Sequence, residues 1–282
     1  MSADTRDWMI RRILVALDAS RHSAAALQAA ADLASHLEAE LVGLFVEDIN
    51  LFRLAELPFA REVGSYSATR RQLNTTQVER QLKAQAERAR RALEAYADRA
   101  SVRWSFEVTR GVVARCVLAA ASEADLVVLG RASHGAGTTS GLGSTARGVV
   151  SAAACHALVV SHERGLRLPV LVLYDGSQLG QKALAVAAGL VREEERYLII
   201  LVLARGPKSA LRVKRKAADS LREQGLVARY RLLVKPGASA LADVIGREGC
   251  GTLVLAAKCA FLDSDSVLAL LDALDLPALL IR

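Results

Sequence analysis

Aromatic residues and long apolar runs are scarce in this sequence. Phe, Trp and Tyr make up 4% of the 282 residues, which disfavours a surface that stacks nucleic-acid bases. No apolar run approaches the roughly 20 residues of a membrane span, and residues 1–12 carry charges where a signal peptide needs an apolar core. We therefore expect a cytoplasmic protein that binds neither membranes nor nucleic acids.

The chain also lacks recognisable metal-binding and catalytic patterns. Its four cysteines form no C-x-x-C pair and have no histidine at ligand spacing, so we expect buried, reduced thiols. Its five histidines lie apart in the sequence, away from any nucleophile motif, and we expect them on the surface or in loops. We predict no metal site and no catalytic residue.

What the sequence does contain is an internal repeat. Residues 13–20 align with residues 170–177, so that Asp18 matches Asp175 and Ser20 matches Ser177 at an offset of 157 (175 − 18). The register holds without gaps over roughly thirty positions, which chance does not produce. The repeat predicts two similar domains, residues 1–165 and 166–282.

The two copies differ in length at two places. Gly111 matches Gly237 at an offset of 126 (237 − 111), and His156 matches Pro277 at an offset of 121 (277 − 156). The first copy thus has 31 extra residues (157 − 126) around residues 48–79, a stretch that we predict to be irregular. The second copy lacks five further residues (126 − 121) in the loop after its fourth strand.

Each copy alternates predicted strands and helices. Short runs of Val, Ile and Leu do not alternate with polar residues, which indicates strands buried on both faces. In the first copy these runs include residues 13–17, 41–46, 126–129 and 157–160. We predict an α/β fold of two tandem, doubly wound, parallel five-stranded sheets. Either Ser20 or Ser23 is placed to cap the first helix.

The predicted fold also indicates where a ligand would bind. Doubly wound sheets bind ligands beyond the carboxyl ends of their strands. In the first copy Asp18, Val46 and Gly130 stand at the ends of strands one, two and four. We therefore expect any binding chemistry to come from these three positions and the loops that follow them.

A glycine-rich loop follows the fourth strand of the first copy, from Gly130 to Ser144, and leads into a helix. Such a loop offers backbone N–H groups and the positive end of the helix dipole, an arrangement that holds phosphates. It contains no Gly-Lys-Ser/Thr and does not follow the first strand, so it is neither a Walker loop nor a dinucleotide fingerprint. A flexible connector is the alternative interpretation.

These motifs resemble the universal stress protein family. Members begin with a strand that ends in Asp, a small residue and Ser, as in residues 18–20, and carry Gly-x2-Gly-x9-Gly-Ser/Thr after strand four. Here that motif is Gly130-x2-Ser133-x9-Gly143-Ser144, with Ser133 in place of a glycine. The resemblance covers nearly the whole chain as two copies, and it implies the adenine nucleotide alpha hydrolase-like fold of that family.

The resemblance further implies a site for ATP or AMP, with or without Mg²⁺, in the first copy. Asp18 would contact the nucleoside, Ala16 and Val46 would line the adenine, and the loop would cradle ribose and phosphates. The implied binding residues are Ala16, Asp18, Val46, Gly130, Ser133, Gly143, Ser144 and Thr145. The residues alone leave two alternatives open, namely that Asp18 caps the next helix and that Val46 belongs to the core.

The second copy keeps Asp175 but has lost the loop. No glycine occurs between Gly251 and Arg282, and Asp263 and Asp265 would repel a triphosphate. We predict that this copy binds no ATP and serves as a structural partner. Because family members pair through their last strands, the resemblance implies an intramolecular pseudo-dimer, which leaves a further homodimer open.

Three functions follow from these observations. The first is a nucleotide-dependent regulator of a stress response, which requires no enzyme activity although slow ATP hydrolysis is left open. The second is a nucleotide-free scaffold that docks protein partners, favoured if Ser133 blocks the approach of phosphate. The third, a transferase or nucleotidyl-handling enzyme on a similar fold, would need an acidic metal-binding pair near the phosphates, and the first-copy loop lacks one.

Overall fold

The computed structural model describes residues 10–18, 20–63, 70–72, 74–131, 141–161, 165–191 and 197–282. The first half contains β1 (Arg12–Leu17), α1 (Arg21–Leu37), β2 (Glu40–Asp48), α2 (Ile49–Ala55), β3 (Arg61–Val63), β4 (Arg70–Gln72), α3 (Thr75–Ala100), β5 (Trp104–Gly111), α4 (Val113–Ala121), β6 (Leu126–Gly130), α5 (Ser144–Ala152) and β7 (His156–Val160). The second half contains β8 (Val170–Tyr174), α6 (Gln178–Leu190), β9 (Tyr197–Ala204), α7 (Pro207–Arg222), β10 (Val227–Val234), α8 (Ala238–Glu248), β11 (Thr252–Ala256), α9 (Ser264–Ala273) and β12 (Ala278–Ile281). The predicted alternation of strands and helices is confirmed in both halves.

One ten-stranded sheet runs through both halves, in the order β10-β9-β8-β11-β12-β7-β6-β1-β2-β5. Within each half, every neighbouring pair of strands in this sheet is parallel. The halves meet where β12 pairs antiparallel with β7, with Leu279 opposite Leu158. The α/β fold with a large, mostly parallel sheet is therefore confirmed, and the two five-stranded units are joined edge to edge.

Burial follows the pattern that the strand sequences predict. All five residues of β8 and of β11 are buried, as are the last four of β7. Helices cover both faces, which explains why these strands are apolar on both sides. α1, α3, α6 and α7 lie on one face, and α4, α5, α8 and α9 lie on the other. None of the helices in the described ranges is long and apolar enough to cross a membrane.

The 31-residue excursion of the first half is more regular than predicted. It contains the short helix α2 and the hairpin strands β3 and β4. Asp48 caps α2 by accepting a hydrogen bond from the Asn50 N–H at 2.9 Å, and Phe52 anchors the helix beneath the Arg110 guanidinium, 4.1 Å from the ring centre. Elements this short show no detectable periodicity in a sequence, and for this reason the prediction of an irregular stretch was wrong.

Two expectations about single residue types are also corrected. Among the four cysteines only Cys250 is fully buried, because the other three lie in α4, in a turn and in a loop that leave them partly exposed. His156 lies half-buried in β7, where its Nδ1 accepts a hydrogen bond from the Arg282 N–H at 3.0 Å. It is therefore a strand residue at the junction of the halves and not a loop or surface histidine. His134 and His162 lie outside the described residues.

Candidate functional site

A cavity of about 450 Å³ lies at the carboxyl ends of β1, β2 and β6. This volume is in the range of small-molecule sites. Seven of the eight residues that the sequence singled out line it together: Ala16, Asp18, Val46, Gly130, Gly143, Ser144 and Thr145. The eighth, Ser133, lies outside the described residues. Residues from distant parts of the sequence thus lie together at the strand ends, where the rule for doubly wound sheets places a ligand site.

Asp18 is held in a tight turn at the end of β1. Its Oδ1 accepts a hydrogen bond from the Ser20 N–H at 2.8 Å, and its own N–H donates to Ser23 Oγ at 2.9 Å. Ser20 Oγ in turn accepts from the Ser23 N–H at 3.1 Å and caps α1. Ser20 is thus the cap that the sequence left undecided, and the alternative role of Asp18 as the helix cap is wrong.

Gly130 allows β6 to pass close to the start of α1. A Cβ at this position would lie 2.6 Å from the Cβ of His22 and 2.8 Å from its carbonyl carbon and oxygen. Backbone atoms cannot yield locally to such a contact, so the position requires a residue without a side chain. This close approach brings the ends of β1 and β6 together around the cavity.

The start of α5 faces the cavity. Gly143 is its N-cap residue and has no side chain to accept hydrogen bonds from the first turn, where Ser144 and Thr145 lie. The Gly143 N–H donates to the carbonyl of Arg131 at 2.8 Å, which ties the helix start to the residue after β6. A helix start that lacks a side-chain cap presents unpaired N–H groups and the positive end of the helix dipole, which suit an anion.

The walls of the cavity include residues that sequence reasoning missed. Most are apolar: Leu44, Leu82, Val112, Val113 and Val117. Leu82 belongs to α3, and Val113 and Val117 belong to α4. Their approach to the strand ends depends on helix packing and not on a local motif. Repeated apolar spacing could show that these residues are buried, but not that they face a cavity.

Arg131 was also missed, and it links the site to the second half. It is 5% exposed, and its Nη2 donates to the carbonyls of Leu271 at 2.6 Å and Asp272 at 3.1 Å. Both carbonyls belong to the last turn of α9, where the helix itself supplies no partner. Burial lowers the pKa of Arg131, while the nearby carboxylates of Asp275 and Asp272 act in the opposite direction.

In the second half, a loop covers the residue equivalent to Asp18. Asp175 Oδ1 accepts from the Ser177 N–H at 2.9 Å, as in the first half, but its Oδ2 also accepts from the Ala260 N–H at 3.2 Å. Burial alone would raise the pKa of Asp175, but hydrogen bonds from Ser177, Ala260 and Cys259 lower it. The shortened loop after β11 therefore folds onto the carboxylate.

The start of α9 also differs from that of α5, because it carries carboxylates of its own. Its N-cap residue is Asp263, whose Oδ1 accepts from the Ser266 N–H at 2.8 Å, and Asp265 lies in the first turn. A carboxylate already satisfies the N–H group that a phosphate would use, and a second negative charge stands beside it. In the part of the chain that the structure describes, no group of three or more His, Cys, Asp or Glu residues could hold a metal ion.

Comparisons with known proteins point to one family. The sequence model of the universal stress protein family matches residues 9–161 of this chain. A universal stress protein from Archaeoglobus fulgidus DSM 4304 is similar with a TM-score of 0.71 and 17% identity, over 96% of this chain and 96% of that one. A functionally unknown protein from Pseudomonas aeruginosa PAO1 has a TM-score of 0.61 and 14% identity, over 96% and 92% of the two chains. At these identities the structures show a shared fold. No curated protein matches the chain.

Proposed function

Because this chain belongs to the universal stress protein family, we propose that its first half binds one adenine nucleotide, ATP or AMP, and that its second half binds none. The observation that carries the proposal is the junction of an apolar cavity with the start of α5. The binding would serve regulation of a stress response and requires no catalytic residue. Slow hydrolysis of ATP stays compatible with it.

The apolar part of the cavity suits a base. Ala16 and Val46 lie beside Leu44 and Val113 on its wall, and their side chains would exclude water from both faces of a planar ring. The Asp18 carboxylate also lines the cavity, where it would accept hydrogen bonds from a ribose or a base. The combination of apolar side chains with a carboxylate supports a nucleoside as the ligand.

The start of α5 suits phosphates. The backbone N–H groups of its first turn and the hydroxyls of Ser144 and Thr145 are hydrogen-bond donors beside the cavity. A Mg²⁺ ion bound with ATP would take most of its ligands from phosphate oxygens and water, with Asp18 and Asp48 as the carboxylates on the cavity wall.

The second half would act as a structural partner. We place the boundary of the two domains between residues 165 and 166 and describe the chain as an intramolecular pseudo-dimer. The antiparallel pairing of β7 with β12 supports this description. All four cysteines are free thiols, which supports a reducing compartment such as the cytoplasm.

Calorimetric titration of the full chain with ATP and with AMP, with and without Mg²⁺, tests the proposal. We expect saturation near one nucleotide per chain. Asp18→Ala should weaken binding about tenfold or more, since a hydrogen bond to a charged group is lost. The matched variant Asp175→Ala alters the equivalent residue of the second half and should leave the affinity unchanged. Absence of binding by the native chain would refute the proposal, and weaker binding by Asp175→Ala alone would move the site to the second half.

A second candidate function is a nucleotide-free scaffold for protein partners. Large apolar side chains are exposed on and after α2, with Leu54 at 48% and Phe59 at 77%. Leu51 and Leu57 lie in the same segment and are also exposed. Apolar side chains grouped in this way are typical of protein interaction surfaces. If the native chain binds neither ATP nor AMP in the titration, this function is favoured over the first.

A further inference from the structure

A carboxylate of the second half holds the start of α5 beside the cavity. Asp272 lies in the last turn of α9, and its Oδ1 accepts a hydrogen bond from the Leu142 N–H at 2.8 Å. Its Oδ2 accepts from Arg147 Nη2 at 2.7 Å. Leu142 directly precedes the N-cap of α5 and Arg147 lies one turn into that helix. One side chain of the second half therefore holds the start of α5 at two points.

The backbone around Leu142 is shaped for this contact. A Cβ at Gly141 would lie 3.3 Å from Asp272 Oδ1, so the absence of a side chain there leaves room for the carboxylate. Leu142 is 7% exposed and belongs to the same apolar cluster as Leu271 of α9. The segment that leads into α5 is thus bound to the second half by a hydrogen bond and by apolar packing.

The electrostatic surroundings keep Asp272 charged. Burial alone would raise the pKa of Asp272, but the hydrogen bond from Leu142 and the Arg147 guanidinium lower it below its usual value. Arg131 also lies close, because it donates to the carbonyl of Asp272 at 3.1 Å. A charged acceptor makes a stronger hydrogen bond to a backbone N–H than a neutral one does.

Among the residues that the structure describes, the start of α9 receives no equivalent contact from the first half. At the offset of 121 that aligns the C-terminal parts of the two copies, Asp272 corresponds to Ser151 in α5. Serine carries no charge and has a shorter reach than aspartate. The carboxylate therefore comes from the second half alone, whereas the start of α9 is capped by its own Asp263.

We infer that Asp272 is a positioning residue, contributed by the second half, that sets the start of α5 for phosphate binding in the first half. This inference rests on the proposed function. It gives the second half a role in nucleotide affinity although that half binds no nucleotide itself. By linkage, a nucleotide bound in the first half then stabilises the contact between the halves to the same extent.

Calorimetric titration of full-length variants with ATP tests the inference. Asp272→Ala removes both hydrogen bonds and should weaken ATP binding about tenfold. Asp272→Asn keeps an oxygen that accepts from Leu142 and should restore the affinity to within about threefold of native. Arg147→Gln removes only the ion pair, keeps the Leu142 hydrogen bond and should weaken ATP binding clearly less than Asp272→Ala does. Ser151→Ala, at the equivalent position of the other half, is the matched control and should also bind as native.

The outcomes separate this inference from the proposed function. If the native chain binds no ATP, the proposed function fails. If the native chain binds ATP and Asp272→Ala binds it equally tightly, only the inference fails. Equal losses in Asp272→Ala, Asp272→Asn and Arg147→Gln would also overturn it, because charge and not the Leu142 hydrogen bond would then matter. Asp272→Glu covers a failure of Asp272→Ala to fold: it keeps the charge beside Arg147 but lengthens the side chain by one carbon, so that its oxygens no longer match the Leu142 N–H. This variant should weaken ATP binding severalfold, and native affinity would contradict the inference.

Discussion

Gly130→Ala is expected to destabilise the protein by about 1–3 kcal/mol, the usual cost of inserting an extra carbon into a packed region, and to weaken nucleotide binding. The new Cβ would meet backbone atoms of His22 at 2.8 Å, so β6 and α1 would have to separate. Both elements border the cavity, and their separation would widen it where we propose the nucleotide to bind. Urea unfolding and calorimetric titration of the same variant measure the two effects.

Gly148→Ala is a matched control in α5, the helix that begins at the cavity. A Cβ at Gly148 would lie 3.6 Å from the Cβ of Ala114, an ordinary contact. Alanine also favours helix over glycine by up to about 1 kcal/mol, so this variant should be as stable as the native chain or more stable. Equal stability of Gly130→Ala and the native chain would show that β6 and α1 adjust without cost.

Arg131→Met is expected to lower the free energy of unfolding by about 3 kcal/mol, because it removes hydrogen bonds from a buried charged group. The carbonyls of Leu271 and Asp272 would lose their donor at the end of α9. The carboxylates of Asp272 and Asp275 would lose a nearby positive charge. Methionine fills a similar space, so the loss reports the hydrogen bonds and the charge more than an empty volume.

The control for this variant is Arg147→Met. Arg147 also contacts the second half, through Asp272 at 2.7 Å, but its side chain is 46% exposed. Exposed ion pairs contribute about 1 kcal/mol or less, so urea unfolding should show a much smaller change than for Arg131→Met. Similar losses in the two variants would mean that burial of Arg131 does not make its contacts stronger.

The parts of the structure that sequence reasoning predicted depend on local patterns. The apolar runs of β1, β2, β6 and β7 are long enough to identify as buried strands, and the strand-end rule then places Asp18, Val46 and Gly130 at one edge of the sheet. Their grouping around one cavity agrees with that rule. The repeat offset likewise located the excursion and the shortened loop, since both change the register of otherwise matching residues.

The parts that escaped prediction depend on contacts between distant residues. Arg131 directly follows a predicted site residue, yet nothing nearby in the sequence shows that its guanidinium caps a helix 140 residues away. Asp272 is one acidic residue among many until the fold places it beside Leu142. In the second half, the sequence showed Asp263 as a charge that repels phosphate, but not that the loop before it folds onto Asp175.

The antiparallel seam between β7 and β12 lies within a single polypeptide. In a dimer of identical subunits every contact occurs twice, so a substitution on one side of the interface also appears on the other. Covalent linkage removes that restriction and makes assembly of the seam independent of protein concentration. The two copies can therefore differ at a single position, as they do at Asp272 and its counterpart Ser151. A substitution on one side of the seam thus leaves the other side unchanged, and both sides are present in every molecule.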